Sequence, residues 1–272
     1  MSELSANWGW IVAYVIAAAI TFIWLRRFSS TDVEAAELAT QSRTFESHTS
    51  LARIAAEFFH IATPRVLLVV IALTWMARIA ARHWSPWDLA IMAAVLAFWP
   101  LQEWLIHVLL LHLKPFSFWG REIDPIICRN HRNHHRDPWH PHLGITPPHI
   151  IWLYLAGLPG VWLLFLPWPQ ALTGMALYFS LVLNYEWLHY LIHTAYVPRF
   201  WFYKRLWRNH RLHHFKNEHY WFGVTMLSGD RLFRTQPLPS DTDRSETCLT
   251  LGAETEFSKW TNAPGTGKIV GT

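Results

Sequence analysis

Long apolar runs separated by short polar turns set the pattern of the chain. Trp8 to Leu25 is apolar and closes on Arg26-Arg27, and Val66 to Ala81, Trp87 to Leu113, Ile150 to Leu166 and Ala171 to Leu188 follow. A helix rises about 1.5 Å per residue, so runs of roughly twenty residues cross a hydrocarbon core. Trp87 to Leu113 exceeds that by a turn or two. Arg82, His83, Ser85 and Pro86 break the pattern between the second and third runs, and Pro167-Trp168-Pro169 breaks it between the fourth and fifth. Both suit tight reversals of antiparallel helices. The first run carries its positive charges after the apolar core, so it predicts a retained anchor with Arg26-Arg27 inside rather than a cleaved signal. Ser29 to Thr63 is polar, and Glu34-Ala35-Ala36-Glu37-Leu38 predicts a surface helix on the cytoplasmic side. From Gln236 to Thr272, Ser, Thr, Pro, Gly and Asp predict a disordered tail. The pattern predicts an all-α fold: a multi-span transmembrane helical bundle with a cytoplasmic helical cap. The expected divisions are an anchor (1–28), an amphipathic linker (29–64), a membrane domain carrying the chemistry (65–235) and a tail (236–272).

Composition sharpens this picture. The chain is 52% hydrophobic and only 15% charged, with eighteen Trp, which favours a membrane protein over a soluble domain. A net charge of +4 without basic, aromatic-interleaved motifs excludes nucleic acid as a partner. Cys128 and Cys248 lie far apart with no C-x-x-C, so neither a disulfide framework nor a zinc knuckle is expected. Cys128 reads as a small buried filler rather than a spare ligand. Lys114, Arg121, Arg129, Arg132, Arg136, Arg199, Lys204, Arg205, Arg208, Arg211 and Lys216 gather at one end of the spans, which makes that face cytoplasmic. Arg78 and Arg82 fall at the opposite end, where they either snorkel to the boundary or mark a shallow re-entrant pair.

Histidine carries the chemistry. Ten of seventeen fall into four clusters: His107 and His112; His131, His134 and His135; His189 and His193; His210, His213 and His214. The span order brings all four to the same membrane face. Imidazole is the commonest ligand for redox-active first-row metals. Positions i, i+3 and i+4 share a helix face, but adjacent residues diverge by about 100°. His134-His135 and His213-His214 therefore each serve two different ions. His107 and His112 are five apart, so they either bridge two ions or are aligned by a π-bulge. Ten ligands on two ions leave about five each, with room for oxygen or substrate. His48, His60, His83 and His149 read as structural, His140 and His142 as loop residues or spare ligands. Supporting acceptors are expected at Glu186, Asp137, Asn209, Glu218 and Asp230, with Asn130, Asn133, Asn184 and His219 close by.

The order H-x4-H, H-x-x-H-H, H-x-x-x-H, H-x-x-H-H resembles the fatty acid hydroxylase / sterol desaturase superfamily of integral-membrane di-iron oxygenases. His210-Arg211-Leu212-His213-His214-Phe215-Lys216-Asn217, then Phe222-Gly223-Val224-Thr225 and Asp230-Arg231-Leu232-Phe233-Arg234-Thr235, are similar to its fatty-acid 2-hydroxylase branch, as is Pro147-Pro148. The likeness covers roughly Trp99 to Thr235. It implies the ten histidines as ligands, two iron ions (replaceable by zinc in recombinant material), O2, and a lipid substrate entering from the bilayer. Tyr220-Trp221 departs from a small residue usual in that branch, which points to a reshaped substrate entrance. No His-Pro-Gly-Gly haem motif is present, so electrons are expected from a separate cytochrome b-type or ferredoxin-like carrier docking on the basic face. The histidines alone do not separate hydroxylation from desaturation. A sterol or carotenoid oxidoreductase is the rival within the superfamily. A metal transporter would need ionisable ligands deep in the spans, and a zinc hydrolase would need an open zinc with a general base.

Overall fold

The computed structural model describes residue 12 and residues 50–140, 143–148, 150–151 and 162–253. The anchor expected at Trp8 to Leu25 and most of the run Ile150 to Leu166 lie outside them.

Helix α1 (Leu51–His60) starts where the Ser50 side chain accepts the Arg53 N–H at 3.3 Å. It buries Ile54 and Phe58 against Ile145, Tyr190 and Leu191. The surface helix expected at residues 34–38 is outside the described residues; the helix seen here begins later. Helix α2 (Ala62–Ala80) and helix α3 (Pro86–Leu105) follow, joined by a short turn at Ala81 to Ser85. Pro86 sits at the start of α3, where its missing N–H costs nothing, and Asp88 accepts the Ser85 N–H at 2.9 Å. Ala62–Ala80 and the continuous stretch Pro86–Leu111 are both long and apolar enough to cross a membrane. Unlike core helices of a soluble protein, they leave large apolar side chains uncovered: Leu68, Val69, Leu73, Met76, Ile79, Leu89 and Phe98 are all exposed.

Of the two alternatives left open for Arg78, snorkelling is not what the structure shows. Arg78 is 0% exposed, donates to Asp88 Oδ1 through Nε (3.1 Å) and Nη2 (2.7 Å), and lies 3.7 Å over the Trp84 ring. The pairing across the turn, which hydropathy cannot register, keeps the guanidinium inside the fold. The Thr173 hydroxyl, which bonds both Arg78 and Asp88, completes the cluster.

Beyond α3 the chain continues as a π-helix (Ile106–Leu111) and then a short antiparallel hairpin, β1 (Phe116–Phe118) with β2 (Arg121–Ile123), Ser117 opposite Glu122. Helix α4 (Ile126–Arg136) carries the H-x-x-H-H run. Helix α5 (Trp168–Ile192) packs on α2 and α3 around Leu67, Val95, Trp99, Ala171, Met175 and Phe179. Helix α6 (Trp201–Phe215) then folds back over the end of α5, burying Leu206 with Leu188, Ile192 and Val224. A short helix α7 (Ser228–Leu232) lies on α3 at Gly229, where a Cβ would stand 2.6 Å from the Pro100 carbonyl oxygen, so only glycine fits.

The expectation of a structureless tail from residue 236 is corrected over residues 236–253. Ser245 N–H donates to Lys216 O (2.8 Å), Asn217 Nδ2 to Asp243 O (3.2 Å) and Arg136 Nη2 to Ala253 O (3.1 Å), and Cys248 and Leu251 are buried. A polar segment reads as disordered because it lacks apolar side chains, but this one is held through backbone and hydroxyl groups instead.

Candidate metal centre

The ten clustered histidines come from four helical elements and meet in one place. The π-helix settles the awkward spacing of His107 and His112: the His112 N–H reaches His107 O at 3.2 Å, an i to i+5 bond. Five residues then make one turn, and the two imidazoles fall on one side, their ring centres 5.0 Å apart.

The ligand atoms divide into two groups of five, each with its members within 4.8 Å of one another. The first holds His107, His112, His131, His135 and His213; the second holds His134, His189, His193, His210 and His214. The adjacent pairs are split, as a helical rotation of about 100° per residue requires. Contacts such as His135 on His214, with ring centres 4.1 Å apart, join the groups side by side.

Each group fits a metal ion. His134 Nε2 lies 3.1 Å from Nε2 of both His189 and His193; His210 and His214 Nε2 are 3.1 Å apart; His107 and His131 Nε2 are 3.2 Å apart. Nitrogens at right angles on one ion, each about 2.1 Å from it, would be about 3 Å apart. The buried Nε2 atoms of His112, His135 and His213 have no hydrogen-bond partner among the described residues, which is uncommon unless something else accepts their lone pairs. Burial, reinforced by neighbouring imidazoles, holds His131, His134, His193, His210, His213 and His214 well below the usual histidine range, and His135 falls to about 3. Neutral imidazole is the form that binds metal.

The groups that orient the rings are not the expected ones. Nδ1 of His107, His135, His189 and His213 faces the backbone carbonyl of Phe222 (2.7 Å), Cys248 (2.9 Å), Gly144 (2.6 Å) and Tyr220 (2.8 Å). An Nδ1–H donated to a carbonyl leaves the Nε2 lone pair for the ion. Asp137 is exposed and caps α4. Asn209 bridges Asp230 and Gln236. His219 is 70% exposed and pairs with Glu218, and Asn184 is exposed. Glu186 accepts from the backbone of Thr146 at 3.0 Å. None of these side chains has an imidazole of the two groups as a recorded hydrogen-bond partner. Sequence reasoning missed the carbonyls because a carbonyl has no residue type. It also missed Glu103, whose carboxylate accepts from the Val224 and Thr225 backbones and the Thr225 hydroxyl. Cys128 belongs to neither group and donates to Leu110 O at 3.1 Å, a filler as expected.

A cavity of about 120 Å³ opens beside the centre, with His131 of the first group and His189 of the second in its wall. Trp99, Ile106, Ile145, Ile151 and Val182 make most of the rest apolar. Trp221 is 1% exposed, is bonded to Thr235 and Pro237, and does not line this cavity.

Fatty acid hydroxylase sequences match residues 92–235, just over half of the 272-residue chain and every one of the ten histidines. The chain belongs to the fatty acid hydroxylase family. A solved structure described as full-length Scs7p, with only the hydroxylase domain visible, shares its fold at a TM-score of 0.53 and 22% identity. That match covers 74% of this chain and 71% of the other. No curated protein sequence matches this family member.

Proposed function

We infer that this fatty acid hydroxylase family member is a multi-pass membrane enzyme that hydroxylates a C–H bond of a fatty-acyl or related long-chain lipid. It would use O2, two iron ions and electrons from a separate carrier. The observation that carries the reading is the apolar cavity with one histidine of each five-membered group in its wall. Two redox ions held there would supply the oxidising power for an unactivated C–H bond. The protein's own part is positional. The ten histidines fix two adjacent ions, the backbone carbonyls set their tautomers, and the apolar wall excludes water while aligning an acyl chain. The uncovered apolar sides of α2 and α3 support entry of that chain from the bilayer, and the basic residues after the spans support a cytoplasmic centre. The same basic face suits an acidic one-electron carrier. The likeness of the signature from His210 to Thr235 to the 2-hydroxylase branch favours hydroxylation over desaturation and over sterol or carotenoid chemistry.

The test is lipid mass spectrometry of cells with and without the gene, and with His213→Ala. A lipid heavier by one oxygen atom, made only with the intact protein, is expected. A product lighter by two hydrogens would establish desaturation instead, and an unchanged lipid profile would overturn both.

A further inference from the structure

Three buried carboxylates stand beside the centre without bonding an imidazole. Their recorded partners are backbone amides and side-chain donors, and those amides belong to the segments whose carbonyls hold the rings. Asp230 Oδ1 accepts the Phe222 N–H (2.9 Å) and the Thr235 hydroxyl (2.7 Å); its Oδ2 accepts the Gly223 N–H (2.8 Å) and Asn209 Nδ2 (3.3 Å). Glu103 takes the next two amides, Val224 and Thr225. Four consecutive N–H groups are thus held by two carboxylates, one from α3 and one from α7.

The opposite edge of that segment faces the first histidine group. The peptide joining Phe222 to Gly223 is planar and trans, so its N–H and C=O point in opposite directions. Asp230 holds the N–H, and the carbonyl meets His107 Nδ1 at 2.7 Å. Two residues earlier, Tyr220 O meets His213 Nδ1 at 2.8 Å, and the following Trp221 N–H is held by Thr235 O at 2.8 Å. Gly223 has no side-chain alternative, because a Cβ there would lie 2.1 Å from Met226 O. On the other side Glu186 holds the peptide next to one whose carbonyl meets a ring. It accepts the Thr146 N–H at 3.0 Å, and Gly144 O, two residues back, meets His189 Nδ1 of the second group at 2.6 Å.

We propose that Asp230 and Glu103 are positioning residues for the first histidine group, and Glu186 for the second. Each carboxylate fixes a backbone segment whose carbonyl sets the tautomer of a ligand imidazole. This rests on the reading that both groups hold metal. Loss of such support for a ligand typically weakens metal binding about 10–100-fold. The consequence is selectivity: each carboxylate governs one group and leaves the other alone.

The test is cobalt(II) titration of purified, metal-free full-length protein, read by bound metal per chain. Both oxygens of Asp230 accept from N–H groups, so in Asp230→Asn the new NH2 always faces a donor. Asp230→Asn should weaken one of two sites by about tenfold or more. Adding His134→Ala to it should cripple both sites, while adding His135→Ala should leave one intact. Glu186→Leu, which leaves the Thr146 N–H without its acceptor, should give the reverse pattern. Thr225→Val removes the hydroxyl that is given to Glu103 and that accepts the Trp99 Nε1–H at 2.9 Å. It should weaken the first group less, and it carries the test if Asp230→Asn does not fold. Loss of both sites in parallel, or unchanged titrations, would overturn the proposal. A wild-type protein that binds no metal would instead overturn the reading on which it rests.

Discussion

Asp88→Asn tests whether the α2–α3 turn is held by a buried charge pair. The substitution keeps the shape of the side chain and removes its charge. In the native fold Asp88 Oδ1 receives two guanidinium N–H bonds, at 2.7 and 3.1 Å, and Thr173 Oγ1 at 2.5 Å, while Oδ2 receives Ser85 N–H at 2.9 Å. An asparagine can turn its oxygen to Arg78 or to Ser85, but not to both. If it faces Arg78, the helix cap is lost, at about 1 kcal/mol. The Arg78 cation then bonds a neutral amide oxygen in place of a carboxylate, and Arg78 Nη1 already has no hydrogen-bond partner among the described residues. Arg78 and Asp88 are 0% and 2% exposed at their side chains, so water does not replace the lost charge. Breaking a pair buried this deeply costs about 3–5 kcal/mol, most of it the unpaired cation. Removing the cation as well should therefore recover stability: Arg78→Met with Asp88→Asn should be more stable than Asp88→Asn alone. The assay is thermal unfolding in detergent of wild type, both single variants and the double variant. An Asp88→Asn protein within about 1 kcal/mol of wild type, or costs that simply add, would refute the reasoning.

Two further outcomes follow from the same geometry. Seven imidazoles outside the apolar runs are held below the ordinary histidine range by burial, with His135 at about 3. Below pH 6.5 the unfolded chain therefore binds protons that the folded chain refuses, and stability falls as pH drops from about 6.5 toward 3, by up to about 1.4 kcal/mol per pH unit for each ring. Metal-free protein should thus melt distinctly lower at pH 5.5 than at pH 7.5; equal melting temperatures would contradict it. Ending the chain at Gln236 removes the Cys248 carbonyl from His135 and uncovers α4, so bound metal should fall by about one ion per chain while helix content by circular dichroism changes little.

The sequence by itself determined the helical class, the chain turn at Arg82 to Pro86, and the ten histidines, because apolar runs and H-x-x-H-H spacings are one-dimensional signals. It also determined that His134 and His135 must part company, since helical rotation separates neighbours whatever surrounds them. It left His107 and His112 open between bridging two ions and lying in a π-bulge, and only the backbone at Ile106–Leu111 decided that. Tertiary structure likewise decided what orients the rings. Asp137, Asn209 and His219 are near the clusters in sequence but turn elsewhere, while Gly144, Phe222 and Cys248 arrive from distant segments and act through carbonyls that every residue has. Glu103 went unnoticed and Arg78 stayed open between two readings for a related reason: a charge inside an apolar run is interpretable only once its partner is known. The segment 236–253 completes the list, because its polar composition, read alone, is that of a free chain, and only the amides and hydroxyls it meets around the histidine groups give it a fixed place.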